Sequence, residues 1–256
     1  MNALEIDDLS VRYGRTRVVE RVSLAVPQGR TVGLVGESGS GKSTIAAAAV
    51  GLVRPESGSI RVDGVETTGG GAAARRARRR MQLVFQDPFS ALDPLMPVGD
   101  SIAEALRSTG RRWSRAERVA RVRELLAQVH LDPDRAGERP GAFSGGQRQR
   151  ITVARALAGE PSVLIADEVT SALDVSVQGA ILNLLREVQQ ELGLSMLFIS
   201  HNLAVVRYIS DEVCVMRHGA MVESGPTEAL LDAPADPYTR DLLEAVPALG
   251  ERMQFG

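Results

Sequence analysis

The sequence predicts an α/β protein built around a parallel sheet, and three observations carry that expectation. First, TVGLVG at 31–36, SVLIAD at 162–167 and SMLFIS at 195–200 are short apolar runs, the pattern of strands buried on both faces. Second, a stretch with a helical apolar repeat separates the last two runs. Third, a glycine-rich segment, GESGSGKST at 36–44, follows the first run and opens a helix. Strand–helix–strand alternation implies right-handed crossovers and parallel pairing.

The elements follow in order. Residues 3–30 alternate apolar and polar in LEIDDLSVRYG and VVERVSLAVPQG, which predicts short antiparallel strands with turns near Gly14 and Gly29. KSTIAAAAVGLV reads as a helix ending near Gly51 or Pro55. GSIRVDGVE at 58–66 adds a hairpin strand, and GGGAAA reads as a flexible low-complexity stretch before RRARRR at 75–80. MQLVFQDP at 81–88 is a strand that breaks into a turn. From about 99 to 160 the pattern is helical, with Val119, Val122, Leu125, Leu126 and Val129 on one face. After SVLIAD, Ile181, Leu184, Leu185, Val188 and Leu192 line one side of a further helix.

Composition narrows the function classes. The chain has 256 residues, 44% hydrophobic and 24% charged, which is ordinary for a globular chain with a sizeable core. A net charge of −2 gives no support to nucleic-acid binding. The single cysteine, Cys214, excludes an intrachain disulfide and a thiolate metal site, and its setting in EVCVM reads as core. No apolar run reaches the ~18 residues of a membrane span. The N-terminus lacks the basic and apolar regions of a signal peptide. The expectation is a soluble protein of the cytoplasm. Of the 30 lysines and arginines, the only lysine is Lys42. That choice marks a position needing a compact ammonium where a planar fork would not serve. A GTPase is excluded, because the guanine-reading N-K-x-D needs a second lysine.

Residues Gly36, Glu37, Ser38, Gly39, Ser40, Gly41, Lys42, Ser43 and Thr44 carry G-x-x-x-x-G-K-[ST] without a mismatch, between an apolar strand and a helix. Backbone N–H groups at such a helix start cradle phosphates, and glycines keep Cβ atoms out of the way. Lys42 can reach the β- and γ-phosphates, and the Ser43 hydroxyl can bind Mg²⁺. Asp167 ends an apolar strand at the sheet edge where ligands of open α/β sheets bind, which makes it the Mg²⁺ partner. Glu168 can polarise an attacking water. A second candidate cradle, FSGGQRQR at 143–150, lies far away in sequence. Ser144 can cap a helix there. Capping does not explain two glycines in its first turn, where they cost stability.

Taken together, the phosphate loop, FSGGQ, the strand ending in Asp167-Glu168 and the lone His201 of FISHN resemble the ATP-binding subunit of ABC transporters, over essentially the whole chain. The resemblance implies a P-loop ABC ATPase domain: a RecA-like parallel core, an N-terminal antiparallel β subdomain and an inserted helical subdomain at about 88–160. The ATPase domain would occupy 1–232 and a short C-terminal extension 233–256. It implies ATP with Mg²⁺, and two subunits packed head to tail. Ser144, Gly145, Gly146 and Gln147 of one would then cover the nucleotide held by the other. Tyr13 matches the aromatic that stacks on adenine. Gln86 matches the glutamine that contacts Mg²⁺ or water, Asp174 the loop aspartate at the dimer interface, and His201 the residue near the γ-phosphate. With Glu168 and Lys42, Gln86 and His201 complete the implied catalytic set.

QDPFSALDP, TSALDVSVQ and DPYTRDLLEAVP at 236–247 are similar to the importer ATPases for dipeptides, oligopeptides or nickel. That group implies two integral membrane permease subunits, a second ATPase forming a heterodimer or homodimer, and an extracytoplasmic solute-binding protein acting indirectly. Nucleic acid is not among the partners, and the site of action is the cytoplasmic face of the membrane. Val169 stands where the family commonly has proline, and Asn202 where aspartate often follows the histidine. The alternatives are a non-transport ABC ATPase in repair, translation or assembly, and a regulatory binding module without hydrolysis.

Overall fold

A computed structural model of the chain describes residues 1–85, 87, 91–171 and 173–244. Two sheets form. The first is antiparallel: β1 (Asn2–Tyr13), β2 (Thr16–Pro27), β4 (Ser57–Val62) and β5 (Val65–Glu66), in the order β2–β1–β4–β5. The second contains β3 (Thr31–Val35), β6 (Met81–Val84), β7 (Val163–Asp167), β8 (Ser195–Ser200), β9 (Glu212–Arg217) and β10 (Ala220–Pro226), in the order β10–β9–β3–β8–β7–β6. It is parallel throughout except for β10, which returns antiparallel along β9.

The parallel strands are continuously apolar because each serves two interiors. Successive side chains point to opposite faces. Val32, Leu34, Ile165, Leu197, Ile199, Cys214 and Met216 join one interior, which also takes the inner face of the antiparallel sheet and helix α1 (Lys42–Ala49). Leu164, Ala166, Met196, Phe198, Val213 and Val215 join the other. That second interior is closed by α3 (Val98–Ala105), α4 (Arg115–Gln128), α5 (Gly145–Leu157), α6 (Val175–Leu192) and α7 (Leu203–Ile209), with α8 (Thr227–Asp232) and α9 (Pro237–Glu244) at its margin. Each large apolar side chain buried in this way contributes ~1.5–3 kcal/mol. Cys214 is a core residue, and burial pushes its thiol up to about 12. Among the described residues no helix is long and apolar enough to cross a membrane.

The predicted α/β class and the parallel core are present, and the structure departs from the sequence reading at four places. The N-terminal strands are long, two of twelve residues each, with their turn at Gly14. The GGGAAA stretch is not a flexible linker. Its alanines open α2 (Ala72–Arg79), which buries Ala74 and Ala77 one turn apart and packs on β5 and β6. Val119, on the apolar face of α4, is 56% exposed. Burial along α4 begins only at Arg121, so its first turns project past the elements behind it. Leu192 is likewise exposed at the last turn of α6.

Candidate functional site

β3, β8 and β7 are parallel neighbours, so their carboxyl ends share one edge. The segments that leave this edge carry the residues singled out above. After β3 the chain turns through Gly36–Gly41 into α1. Gly36 has φ +151, and a Cβ there would lie 2.2 Å from the carbonyl oxygen of Met216 on β9. No other residue fits against that strand. Ser40 is buried, while Glu37, Ser38 and Gly39 are exposed, and Thr44 lies in the first turn of α1.

Lys42 is buried at 4% exposure and folds back over the loop. Its Nζ donates to the carbonyl oxygens of Gly36 (2.8 Å) and Glu37 (2.8 Å) and to Ser40 Oγ (3.3 Å). Burial, the larger effect, lowers its pKa, while the nearby carboxylates of Glu168, Asp167 and Glu37 act in the opposite sense. An ammonium whose direct hydrogen-bond partners are neutral oxygens can turn to an anion that enters the loop.

Ser43 Oγ donates to Asp167 Oδ1 at 3.2 Å, across 124 positions of sequence. Burial raises the Asp167 carboxyl above the usual carboxylate range, against the lowering effect of the Ser43 hydroxyl. A hydroxyl and a carboxylate oxygen form a hard-oxygen donor pair suited to Mg²⁺. Glu168 is held in the left-handed region at φ +49. Its N–H donates to Ile199 O on β8 (2.9 Å), and its carbonyl accepts from Ser171 N–H (3.1 Å). This backbone turn places its carboxylate 3.2 Å from His201 Nδ1. His201 itself is exposed, and Asn202 caps α7 by accepting from Ala204 N–H (3.0 Å). Val169 is buried.

The other residues lie elsewhere. Tyr13, at the end of β1, is 49% exposed. Asp174 sits at the N-cap of α6 with no cap bond from its side chain. Ser144 and Gln147 form a reciprocal capping box on α5, Ser144 N–H donating to Gln147 Oε1 (3.0 Å) and Gln147 N–H to Ser144 Oγ (3.3 Å). Among the described residues this leaves the N–H groups of Gly145 and Gly146 without a hydrogen bond at a helix N-terminus. A Cβ on Gly146 would meet Val177 Cγ1 of α6 at 2.5 Å, whereas one on Gly145 would meet only Leu173 Cδ2, at 3.8 Å. The second glycine is therefore a packing requirement within the chain, a reason the sequence did not disclose, and the first is not. Gln86 lies outside the described residues.

Sequence reasoning also missed contacts that hold the loop from outside. Gly219 N–H, in the β9–β10 turn, donates to Ser40 O (3.1 Å), and Tyr238 Oη accepts from Glu37 N–H (3.1 Å). Both partners lie roughly 180 or more positions downstream, and no local pattern marks them.

Residues 19–171 match the family model described as ABC transporter. A Brucella ovis protein named as a peptide import ATP-binding protein is 49% identical over 238 residues, which are 93% of this chain and 75% of that protein. A similarly named Brucella abortus protein is 52% identical over 233 residues, 90% of this chain and 70% of its own. The solved structure of cbiO1 from Clostridium perfringens, part of the ABC transporter complex cbiONQ, aligns with a TM-score of 0.81 at 26% identity, covering 90% of this chain and 91% of that one. A dimeric ATP-binding cassette in a post-hydrolysis state, bound to ADP and Pi, aligns with a TM-score of 0.77 at 27% identity, covering 88% and 98%.

Proposed function

Because the chain belongs to the ABC transporter family, we propose that it binds and hydrolyses ATP to power a peptide importer. The observation that carries this reading is the convergence at one sheet edge. Lys42 in its loop, the Ser43–Asp167 pair and the Glu168–His201 pair all leave the carboxyl ends of three adjacent parallel strands. The names of the Brucella relatives support peptide as the solute.

In this reading Lys42 exchanges its carbonyl partners for the β- and γ-phosphates. Ser43 and Asp167 hold Mg²⁺, whose charge offsets that of the phosphates when bound. Glu168 takes the proton of the attacking water, and His201 orients its carboxylate. The free N–H groups of Gly145 and Gly146, with Asp174, serve the nucleotide on a second ATPase subunit, and Tyr13 stacks on adenine. The family resemblance assigns Gln86 to Mg²⁺ or the attacking water. The dimer of the ADP-bound cassette supports pairing of two such chains. A heterodimer bound to two integral permeases at the cytoplasmic face, fed by an extracytoplasmic solute-binding protein, follows from the same reading. So does a division into an ATPase domain at 1–232, with a helical subdomain at about 88–160 and the segment DPFSALDPLMPVGD after Gln86 facing the permeases, and an extension at 233–256.

Glu168→Gln tests the chemistry. It keeps the shape and removes the base. ATP binding is expected to persist while turnover falls by about 10²–10⁴-fold. Turnover near that of the wild type would remove Glu168 from the role.

A further inference from the structure

We infer that Tyr238, in the C-terminal DPYT segment, is a positioning residue of the phosphate loop: its hydroxyl holds the Glu37 peptide while Lys42 is engaged with nucleotide. The inference rests on the ATP-binding reading above and adds a residue that the phosphate-loop motif does not contain.

The segment is built as a clamp. Glu223 on β10 accepts from the N–H groups of Ala235 (2.8 Å) and Asp236 (3.2 Å). Asp236 Oδ1 accepts from Tyr238 N–H (2.8 Å), and Pro237 begins α9, where a missing N–H costs nothing. The ring of Tyr238 is 4% exposed and lies under the Arg217 guanidinium of β9, 4.6 Å from its centroid. Two strands and a helix thus fix the phenol. Its oxygen, 3.1 Å from Glu37 N, is the contact by which α9 reaches the loop.

The peptide groups of Glu37 are pinned on both sides. Tyr238 takes its N–H and Lys42 takes its carbonyl oxygen, at 2.8 Å. A lysine that turns to a phosphate gives up that carbonyl, leaving it with the Ser40 N–H of the same loop (3.2 Å), and gives up the neighbouring one of Gly36. Tyr238 then remains, among the described residues, as the anchor that holds residue 37 from outside the loop. Without the hydroxyl, binding must also order this part of the loop, so the loss appears in affinity. It does not appear in the chemical step, because the hydroxyl touches no reacting atom.

Tyr238→Phe keeps the ring, its burial and the arginine contact, and deletes one acceptor. The holoprotein is titrated with ATP and Mg²⁺, turnover is measured at saturating ATP, and amide exchange is followed in peptides covering 36–44 and 233–244. Loss of one net hydrogen bond corresponds to a rise in the ATP Kd of about three- to tenfold. The expected result is that rise, kcat within about twofold of the wild type, and faster exchange in the loop peptide alone. Equal affinity and equal loop exchange would overturn the inference. So would exchange rising equally in both peptides, which would make Tyr238 a packing residue of α9. Wild-type protein that binds no ATP would instead defeat the site reading itself, and the two failures are distinguishable.

Discussion

Asp167 shows how a candidate site residue works against the stability of its own fold. Its carboxyl is buried, chiefly for that reason raised in pKa, and it accepts one hydrogen bond from Ser43. A group whose folded pKa is raised stabilises the fold fully below the unfolded carboxylate value. That contribution declines as pH rises through the folded value. Asp167→Asn keeps the acceptor for Ser43 and removes the charge. The variant is expected to melt above the wild type at mildly alkaline pH, with the gap closing toward acid, and to lose Mg²⁺-dependent ATP hydrolysis. Thermal melts across pH with a parallel ATPase assay check both halves. Residues such as Lys42, Asp167 and Glu168 were legible in the sequence because local context marks them: a motif, or the end of an apolar run. Tyr238 and Gly219 were not, because their contacts with the loop close only through the tertiary fold.

At the scale of elements, the start of α5 separates two uses of glycine. Gly146 has Val177 of α6 at 2.5 Å from where a Cβ would stand, and Gly145 has open space apart from Leu173. Gly146→Ala is expected to destabilise the chain by about 1–3 kcal/mol through overpacking. Gly145→Ala should leave stability within about 1 kcal/mol, on the stabilising side, yet reduce turnover if that backbone faces a second subunit's nucleotide. Denaturant titration read beside ATPase rates separates the two. The parallel strands were readable because burial on both faces makes them uniformly apolar. α2 was not, because GGGAAA followed by arginines offers two buried alanines as its only apolar anchor. Val119 misled for the converse reason: periodicity says which side of a helix is apolar, not how far along it the neighbours extend. Of the arginines between 111 and 123, Arg111 pairs with Glu117 (2.8 Å), Arg121 with Glu124 (3.1 Å) and Arg123 with Asp134 (2.7 Å). Such exposed pairs are worth little each.

For the whole molecule, the proposed function makes the capped start of α5 and the loop before α1 two halves of a site completed by a second ATPase subunit. Hydrolysis per molecule is expected to fall on dilution and to recover when the second ATPase is added. A rate per molecule constant over the dilution range of a weak dimer would contradict the pairing. Strand β7 ends at Asp167, and just before that end it gives Ile165 to one interior and Leu164 to the other. It is a beam loaded on both sides, so a tilt imposed at its tip would strain the packing of both compartments at once.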